Sequence, residues 1–433
     1  MVKVITYGTY DLLHYGHVRL LERAKALGDY LIVGVTADDF DKVRGKINVQ
    51  QTLMERVEAV RATGIADEII IEEYEGQKID DIKRYGVDIF TVGSDWTGKF
   101  DYLNEYCKVV YLERTQGISS SEIRTEKREI RLGLIGDAAF LNKVYLESKY
   151  INGLTVDAVL CESSNLLCDE LKEKSVRDLD TFIELSDAAY VRSKPDKHIS
   201  QINKLLESEI HVLCESPVSY SKDDTQILFN KAEKRNLVLM EGIKTAYTTA
   251  YSRLLLLLKS GIIGDVVSVD STCTSLDKST TDWNGINEWG PTAILPILMI
   301  LGLDYDDKKI SIFKKLDGTF FGKIDFYYKN TVGTAKFGDA IKAEGVLVVS
   351  GTNGYVYVPA PWWKTDYFEI RRENPNDNKR YFYQLEGEGI RLELLTFIKL
   401  IMNKKYNVSI TKDVSNEMSN IISECLNQRC ISI

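Results

Sequence analysis

The stretch Gly8-Thr-Tyr-Asp-Leu-Leu-His-Tyr-Gly-His17 joins a run of strand-forming residues to a helical pattern. Residues 2–7 carry the β-branched and aromatic side chains of a buried strand, and residues 12–27 repeat apolar side chains at helical spacing. Gly8 permits a tight turn between the two. A strand, a turn and a helix in this order are typical of a parallel-sheet unit, so the stretch predicts an α/β fold.

Strand and helix patterns go on alternating along the first third of the chain. The predicted strands are residues 30–36, 68–72, 89–92 and 109–112, with helical patterns at residues 51–62 and 78–85. The highly charged residues 122–131 are predicted to form a terminal helix that runs into a linker, with a domain boundary near Ile130. We therefore expect residues 1–128 to form one Rossmann-like domain, a parallel sheet with helices on both faces.

A second unit of the same kind starts after this linker. Its predicted strands are residues 132–135, 156–162, 188–191, 211–215 and 237–241, with helices between them. After about residue 265 long β runs replace this alternation, and helical patterns at residues 392–402 and 414–426 close the chain. The sequence therefore predicts a second Rossmann domain over residues 131–250 and an α+β domain over residues 251–433.

Composition limits the class of protein. A chain of 433 residues is too long for one ordinary core, which predicts two or three domains. The net charge is -9 and no long Lys/Arg run is present, so we expect no nucleic-acid partner. Seven cysteines without a Cys-x-x-Cys pair predict neither a disulfide framework nor a metal site. Without a signal peptide or a membrane segment, the chain is expected to be cytoplasmic.

Two of the four histidines lie in the opening stretch. His14 and His17 are three residues apart and are predicted to share one face of the first helical turn. A helix start favours anions, and two imidazoles there can stabilise the charge that builds on a phosphate during displacement. Gly16 lets a nucleotide approach the backbone closely. The pattern predicts phosphoryl-transfer chemistry on a nucleotide, the alternative being two surface or capping histidines.

The first third of the chain resembles the bacterial glycerol-3-phosphate cytidylyltransferases, a family of the His-x-Gly-His nucleotidylyltransferases. Besides the opening stretch, the family's second signature is present as Arg114-Thr-Gln-Gly-Ile-Ser-Ser-Ser121, and Gly93-Ser-Asp-Trp96 matches a stretch beside the cytosine and ribose. The resemblance implies CTP, with Mg²⁺, and a small polyol phosphate as substrates. It implies a CDP-glycerol-type product for cell-surface polymer synthesis.

The resemblance also implies a role for each matching residue. The implied catalytic residues are His14, His17, Lys46 and Arg114. The implied substrate- and nucleotide-binding residues are Gly8, Thr9, Tyr10, Asp11, Gly16, Arg44, Arg56, Asp95, Trp96, Thr115, Gly117, Ile118, Ser119 and Ser120. Alternatives stay open for two pairs. Lys46 and Arg44 could be solvated loop cations, and Asp95 and Trp96 could cap and pack a turn.

From Arg131 onward the chain resembles the glucose–fructose oxidoreductase and inositol dehydrogenase family (Gfo/Idh/MocA). The stretches that carry the resemblance are Glu209-Ile-His-Val-Leu-Cys-Glu-Ser-Pro217, Lys259-Ser-Gly-Ile-Ile-Gly-Asp-Val266 and the tail that ends in Trp362-Trp363. The resemblance implies a Rossmann domain that binds NAD(P), then an α+β domain with a large open, mostly antiparallel sheet. The chain is expected to form a homo-oligomer, a dimer.

The dinucleotide loop of this second module departs from the family pattern Gly-x-Gly-x-x-Gly. It reads Gly133-Leu-Ile-Gly136-Asp137-Ala138, with Gly136 in place. Ala138 stands where a glycine should let the pyrophosphate approach, and Asp137 adds a negative charge. These changes argue against NAD(P) binding. Glu162, after the second strand, could bind a ribose hydroxyl or be a surface carboxylate.

The catalytic residues of the second module have changed as well. The family's lysine is Ser216 here, after Glu215, and its aspartate and histidine map to Glu288 and Thr292. A serine and a threonine cannot replace an ammonium and an imidazole as proton donors, so ordinary hydride transfer is not expected. Lys244 and Tyr247 could supply another donor or be structural. The module could be a scaffold, a docking unit, or a reductase that makes the enzyme bifunctional with a keto-sugar phosphate as substrate.

Overall fold

The computed structural model describes residues 1–37, 51, 53–74, 76–113, 130–151, 153–276, 283, 285–315, 319–383, 385, 387–402 and 408–427. The chain divides into two compact units. The first comprises Met1–Glu129 with Ile151–Gly153, and the second Ile130–Tyr150 with Leu154–Ile433. The predicted division into three domains, at residues 1–128, 131–250 and 251–433, stays a prediction.

Among the described residues, the first unit builds one parallel sheet of five strands. The strands are β1 (Lys3–Gly8), β2 (Tyr30–Thr36), β3 (Glu68–Glu72), β4 (Ile89–Gly93) and β5 (Lys108–Leu112). They lie in the order β3-β2-β1-β4-β5, and all neighbouring pairs run parallel. The helices that pack on the sheet are α1 (Tyr15–Lys25), α2 (Leu53–Ala62) and α3 (Gln77–Tyr85).

Both faces of this sheet are buried. Along β1, Val4 belongs to one hydrophobic core and Ile5 to the other, because successive side chains of a strand point to opposite faces. Leu21 of α1 and Val57 of α2 cover the first face, and Ile82 of α3 covers the second. The predicted parallel sheet with helices on both faces is confirmed.

The first helix begins later than its periodicity predicts. The pattern favours a helix over residues 12–27, whereas α1 covers Tyr15–Lys25. Tyr10 and Leu12 have φ values of 54° and 47°, in the left-handed region, which is incompatible with a right-handed helix there. A loop with a fixed, unusual backbone therefore separates β1 from α1.

The chain order reverses at β1, because β2 pairs with one edge of this strand and β4 with the other. In an open parallel sheet, such a switch point leaves a crevice at the carboxyl ends of the two diverging strands, which is the usual ligand site. The loop that follows β1 carries both predicted catalytic histidines, and the turn that follows β4 is Ser94–Trp96. The topology thus brings two of the predicted site stretches to one crevice.

A buried ion pair lies at the same edge of the sheet. The ammonium of Lys78 on α3 pairs with the carboxylate of Glu72, whose side chain is fully buried at the end of β3. The hydroxyl of Thr36 donates a hydrogen bond to the same carboxylate at 2.8 Å. The Lys78 ammonium also lies 4.7 Å from the centre of the Tyr7 ring. These partners offset the cost of removing both charges from water.

The second unit opens with another parallel sheet, again counted over its described residues. The strands are β6 (Ile130–Gly136), β7 (Leu154–Leu160), β8 (Ala188–Arg192), β9 (His211–Glu215) and β10 (Leu239–Gly242), in the order β10-β9-β8-β6-β7. The helices of this part are α4 (Ala138–Ser148), α5 (Asp169–Lys172), α6 (Leu179–Glu184), α7 (Pro195–Glu207) and α8 (Lys222–Lys234). The chain reverses at β6, so this sheet has a switch point between β6 and β8.

A larger sheet follows, with eight strands in the described ranges. The strands are β11 (Val266–Ser275), β12 (Asp307–Lys314), β13 (Phe320–Tyr327), β14 (Val332–Asp339), β15 (Leu347–Gly351), β16 (Gly354–Val358), β17 (Tyr367–Arg371) and β18 (Lys379–Phe382). Their order is β12-β13-β14-β11-β15-β16-β17-β18, and β11 with β14 is the parallel pair among otherwise antiparallel neighbours. The predicted large, mostly antiparallel sheet is confirmed.

The remaining helices are α9 (Thr249–Lys259), α10 (Gly285–Leu301), α11 (Ile390–Met402) and α12 (Lys412–Asn427). The sequence patterns did not predict α10, which packs on β11 and β14, because it contains Pro291 and Pro296. Proline and glycine disfavour a helix interior, and burial of this apolar segment overrides that preference. The patterns also missed β14, which contains Gly333 and Gly338.

We expect Lys78→Ala to lower the free energy of unfolding of the first unit by about 3 kcal/mol, because it strips the ammonium from beside a buried carboxylate. Urea denaturation of the full chain measures the change. Lys83→Ala, an exposed lysine on the same helix, is the matched control and should stay within about 0.5 kcal/mol of the parent. Equal stability of the two variants would contradict a structural role for the buried pair.

Candidate functional site

The loop between β1 and α1 is shaped by the ring of Tyr10, which is buried under it. A Cβ atom at Gly8 would lie 2.9 Å from that ring, so a side chain at this position would displace Tyr10. Tyr10 and Leu12 both hold left-handed backbone, a conformation that persists only where the surroundings enforce it and that is common at functional sites. Gly8 therefore serves the packing of Tyr10 in addition to the predicted turn.

The two histidines stand side by side at the start of α1. His14 is the N-cap of the helix, and its Nδ1 accepts a hydrogen bond from the backbone N–H of Gly16 at 3.1 Å. An N–H group can only donate, so the neutral His14 ring carries its proton on Nε2. The His17 ring stacks on the His14 ring, with 4.0 Å between the centres and 20° between the planes. The structure thus brings together the predicted pair at a helix N-terminus.

Gln51 holds the middle of this loop. The carboxylate of Asp11, which is buried, accepts a hydrogen bond from the Gln51 backbone N–H at 3.0 Å. In return the Gln51 side-chain oxygen accepts from the Leu12 backbone N–H at 2.8 Å. Sequence reasoning missed Gln51, since a glutamine at the start of a helical pattern carries no signal of this reciprocal pair.

Arg56, on α2, ties the loop to the sheet. Its side chain is fully buried, and its Nη1 donates to the carbonyl oxygens of Thr9 at 2.7 Å and Thr36 at 2.8 Å. Its Nε donates to the Gln51 carbonyl oxygen at 3.2 Å. These contacts tie together the carboxyl ends of β1 and β2. A substrate contact by Arg56 stays a prediction.

The other side of the crevice carries Asp95 and Trp96, in the single turn Ser94–Trp96 after β4. Asp95 is exposed and Trp96 is half-buried. The Trp96 ring lies 5.9 Å from the Phe100 ring, and the Lys99 ammonium lies 5.1 Å from its centre. Trp96 thus makes some of the packing contacts of the alternative interpretation. It follows the carboxyl end of β4, next to the switch point.

Several predicted site residues lie outside the described residues. They are Arg44 and Lys46 in the first group, and Arg114, Thr115, Gly117, Ile118, Ser119 and Ser120 of the second signature. The strand that precedes the second signature, β5, ends at Leu112 on the same edge of the sheet as β1 and β4.

The second unit contains a cleft of about 700 Å³ between the carboxyl edge of its parallel sheet and α10. The predicted candidates that line this cleft are Glu215, Ser216, Lys244, Glu288 and Thr292. Three others do not line it, namely Gly136, Glu162 and Tyr247. The cleft therefore brings together Ser216, Glu288 and Thr292, the three positions at which the resemblance implies the family's lysine, aspartate and histidine.

Arg192, the last residue of β8, occupies the switch point of this sheet, and the sequence analysis did not single it out. Its Nε lies 3.1 Å from Asp137 and its Nη2 lies 2.8 Å from Glu288. Its Nη1 lies 3.6 Å from Glu215, whose pKa is raised by burial. The guanidinium is also flanked by the Phe140 ring, 4.0 Å from its centre. One partly buried cation is thus shared by three carboxylates.

The residues at this switch point do not fit the pyrophosphate of a dinucleotide. Asp137 is the N-cap of α4, and its carboxylate accepts from the Phe140 backbone N–H at 3.0 Å. One N–H of the helix start that should receive the pyrophosphate is therefore already bonded to the chain's own carboxylate, and Arg192 pairs with that carboxylate. Even with Glu215 protonated, the cluster offers no excess positive charge to a dianion.

The backbone conformation and packing at Gly136 explain why this residue is a glycine, without any role for a ligand. Its φ is 146°, and a Cβ atom there would lie 2.3 Å from the carbonyl oxygen of Arg192. The glycine is required where β6 passes β8. The presence of this glycine is therefore no indication of cofactor binding.

Most of the other candidate site residues of the second module form contacts within the protein. Glu162 is exposed and pairs with Lys197 at 2.6 Å. The buried Tyr247 hydroxyl donates to the Glu241 carbonyl oxygen at 2.7 Å, and burial raises its pKa. Ser216 is buried directly after β9. A Lys244–Tyr247 donor pair is therefore not assembled here.

Two further observations concern the described residues as a whole. None of their helices is long and apolar enough to cross a membrane. Nor do these residues include three or more His, Cys, Asp or Glu side chains grouped so that they could hold a metal ion.

Two family models match the chain. A cytidylyltransferase-like model matches residues 5–126, and a model of the oxidoreductase family with an NAD-binding Rossmann fold matches residues 131–243. The glycerol-3-phosphate cytidylyltransferase of Bacillus spizizenii is 49% identical over 126 residues, which are 29% of this chain and 97% of that protein. The enzyme of the same name from Staphylococcus aureus is 47% identical over 130 residues, 29% of this chain and 95% of that protein.

Solved structures resemble the second module. A 3-ketoreductase from Actinomadura kijaniata, in complex with TDP-benzene and NADP, superposes with a TM-score of 0.61 at 16% identity, covering 71% of this chain and 99% of that one. A UDP-N-acetylglucosamine 3-dehydrogenase from Acidithiobacillus ferrooxidans gives 0.59 at 14% identity, covering 69% and 97%. At such identities the likeness shows the fold alone.

The predicted resemblances are both confirmed. Nearly the whole length of two cytidylyltransferases is matched by the segment that carries the His14–His17 pair, and the oxidoreductase fold follows it. The chain therefore belongs to the cytidylyltransferase-like family and is a nucleotidyltransferase, with a module of the Gfo/Idh/MocA oxidoreductase fold behind it.

Proposed function

We propose that the first unit transfers CMP from CTP to glycerol 3-phosphate or a closely related polyol phosphate. The observation that carries this proposal is the stacked His14–His17 pair at the start of α1, in a segment about half identical to glycerol-3-phosphate cytidylyltransferases. The product is a CDP-polyol of the kind consumed in cell-surface polymer synthesis. The predicted homodimer stays a prediction.

In the proposed reaction, a phosphate oxygen of the acceptor attacks the α-phosphorus of CTP. The new P–O bond forms as the bond from the α-phosphorus to the bridging oxygen breaks, and pyrophosphate leaves in line. His14 presents its Nε2–H to the nucleotide, because its Nδ1 is held by the Gly16 N–H. Such a preorganised donor stabilises the charge that develops on the phosphate oxygens.

The residues that hold the loop between β1 and α1 also contribute to this preorganisation. Gln51 and Arg56 hold the backbone between β1 and α1, so the histidines need little rearrangement when the nucleotide binds. Mg²⁺ bound to the triphosphate would neutralise part of its charge, and we assign no protein ligand to it.

We expect the full chain to release pyrophosphate from CTP in the presence of glycerol 3-phosphate, and to lose this activity when EDTA removes Mg²⁺. A coupled pyrophosphate assay across polyol and sugar phosphates measures the preference. A folded protein that is inert with every polyol phosphate would overturn the acceptor assignment. A preference for ATP over CTP would move the enzyme to the adenylyltransferases.

Replacing either histidine should affect catalysis far more than stability. We expect His14→Ala and His17→Ala each to lower kcat about a hundredfold, since one preorganised donor to the transition state contributes roughly 3 kcal/mol. Tyr15→Ala, an exposed side chain in the same helical turn, is the control and should retain kcat. Steady-state kinetics and thermal denaturation separate the two effects. Near-normal kcat in both histidine variants would show that the pair is structural.

We propose further that the second unit keeps the oxidoreductase fold without the usual lysine-assisted hydride transfer. The support comes from Arg192 with its carboxylates at the switch point, and from Ser216 and Thr292 in place of proton donors. The module then serves as a scaffold or binds a different ligand.

Calorimetric titration of the full chain with NAD(H) and NADP(H) should show no saturable heat, because Asp137 and Arg192 take the place of the pyrophosphate and its partners. Absorbance of the reduced nicotinamide with keto-sugar phosphates should show no turnover. Robust turnover that Lys244→Ala abolishes would contradict the proposal and make the enzyme a bifunctional reductase–cytidylyltransferase.

A further inference from the structure

The cleft of the second unit contains a cluster of three lysines around one carboxylate. Lys143 lies on α4, Lys244 in the turn after β10, and Lys364 in the turn Trp362–Lys364 after β16. Their ammonium nitrogens lie 3.7, 2.9 and 2.9 Å, respectively, from carboxylate oxygens of Glu388. All four side chains line the cleft.

The charges in this cluster do not balance. Counted over these four side chains alone, three ammonium groups and one carboxylate carry a formal charge of +2. Lys244 also interacts with Glu215 and Glu393, and burial raises the pKa of both of these carboxyl groups. Burial by itself would raise the pKa of Glu388, but the hydrogen bonds from Lys244 and Lys364 hold it down at about 2. The carboxylate is therefore ionised at neutral pH, and the positive excess remains.

The backbone holds Glu388 in this position. Gly387, Glu388 and Gly389 have φ values of 58°, 53° and 89°, so three successive residues adopt left-handed backbone ahead of α11. A Cβ atom at residue 387 would lie 2.1 Å from the carboxylate of Glu147. Glutamate rarely adopts this conformation, and here it aims a carboxylate at the three lysines.

The neighbouring walls suit a small hydroxylated carbon skeleton. The rings of Trp289 and Trp363 lie 5.5 Å apart and line the cleft beside Lys364. Thr245 and Thr292 add hydroxyl groups to the same lining. Aromatic faces pack on C–H groups, and hydroxyls exchange hydrogen bonds with a polyol or sugar.

We propose that Lys143, Lys244 and Lys364 form a phosphate subsite, in which a small hydroxylated phosphate monoester takes the place of the Glu388 carboxylate. A phosphate dianion matches the charge excess better than a carboxylate does, and lysine is a common point-charge partner of phosphate. Glu388 then acts as a tethered stand-in that keeps the lysines paired until the ligand binds. This subsite does not depend on which acceptor the first unit uses.

Titration calorimetry of the full chain with inorganic phosphate and with glycerol 3-phosphate tests the subsite. The first unit contributes equally in all variants, since every change lies in the second unit. We expect Lys244→Ala/Lys364→Ala to weaken binding at the second-unit site more than about a hundredfold, the effect of losing two charge-assisted hydrogen bonds. Lys172→Ala/Lys204→Ala removes two exposed lysines outside the cleft and should bind like the parent. Identical titrations of the two double variants would overturn the proposal.

The Glu388→Gln variant is expected to gain affinity for phosphate, a result that misfolding would not produce. Because the variant removes the competing charge and keeps all three lysines, we expect both phosphate probes to bind about tenfold more tightly, whereas glycerol without phosphate should not bind. Unchanged or weaker phosphate binding would contradict the stand-in role. The cytidylyltransferase assay is a separate readout, so failure of this subsite is distinguishable from failure of the acceptor assignment.

Discussion

Both parallel sheets depend on one geometric constraint, the reversal of strand order at their first strand. In the first unit β2 and β4 leave β1 on opposite sides, and in the second β7 and β8 leave β6 in the same way. At such a point the loops after two neighbouring strands lead to opposite sides of the sheet, which leaves a crevice between the strand ends. Backbone N–H groups and the N-terminus of a helix face this crevice. Each crevice is therefore a place where the side chains that fill it decide the chemistry.

The two crevices are filled in opposite ways. In the first, His14 caps its helix through Nδ1, and the His17 ring stacks on the His14 ring. In the second, Asp137 caps the helix with a carboxylate, and Arg192 pairs with it across the switch point. The same backbone geometry thus carries a histidine pair at the helix start in one unit and an ion pair in the other.

Several buried charged groups among the described residues have partners close by, and this requirement explains their positions. Arg56 is fully buried because carbonyl oxygens of Thr9, Thr36 and Gln51 accept its hydrogen bonds. Around Glu388 the balance is incomplete, because three lysines face one carboxylate. An ionic cluster with excess charge next to a cleft is better suited to a ligand than to stability.

The sequence by itself determined the order of most strands and helices, both families and the His14–His17 pair, because these depend on short-range periodicity and spacing. Only the tertiary structure showed that Gln51 clamps the loop, that Arg192 occupies the second switch point and that Lys143, Lys244 and Lys364 meet at Glu388. The helix α10, which contains Pro291 and Pro296, was likewise not predicted from the sequence. Each of these features rests on contacts between distant parts of the chain, and burial there overrides local preference, so no local pattern announces them.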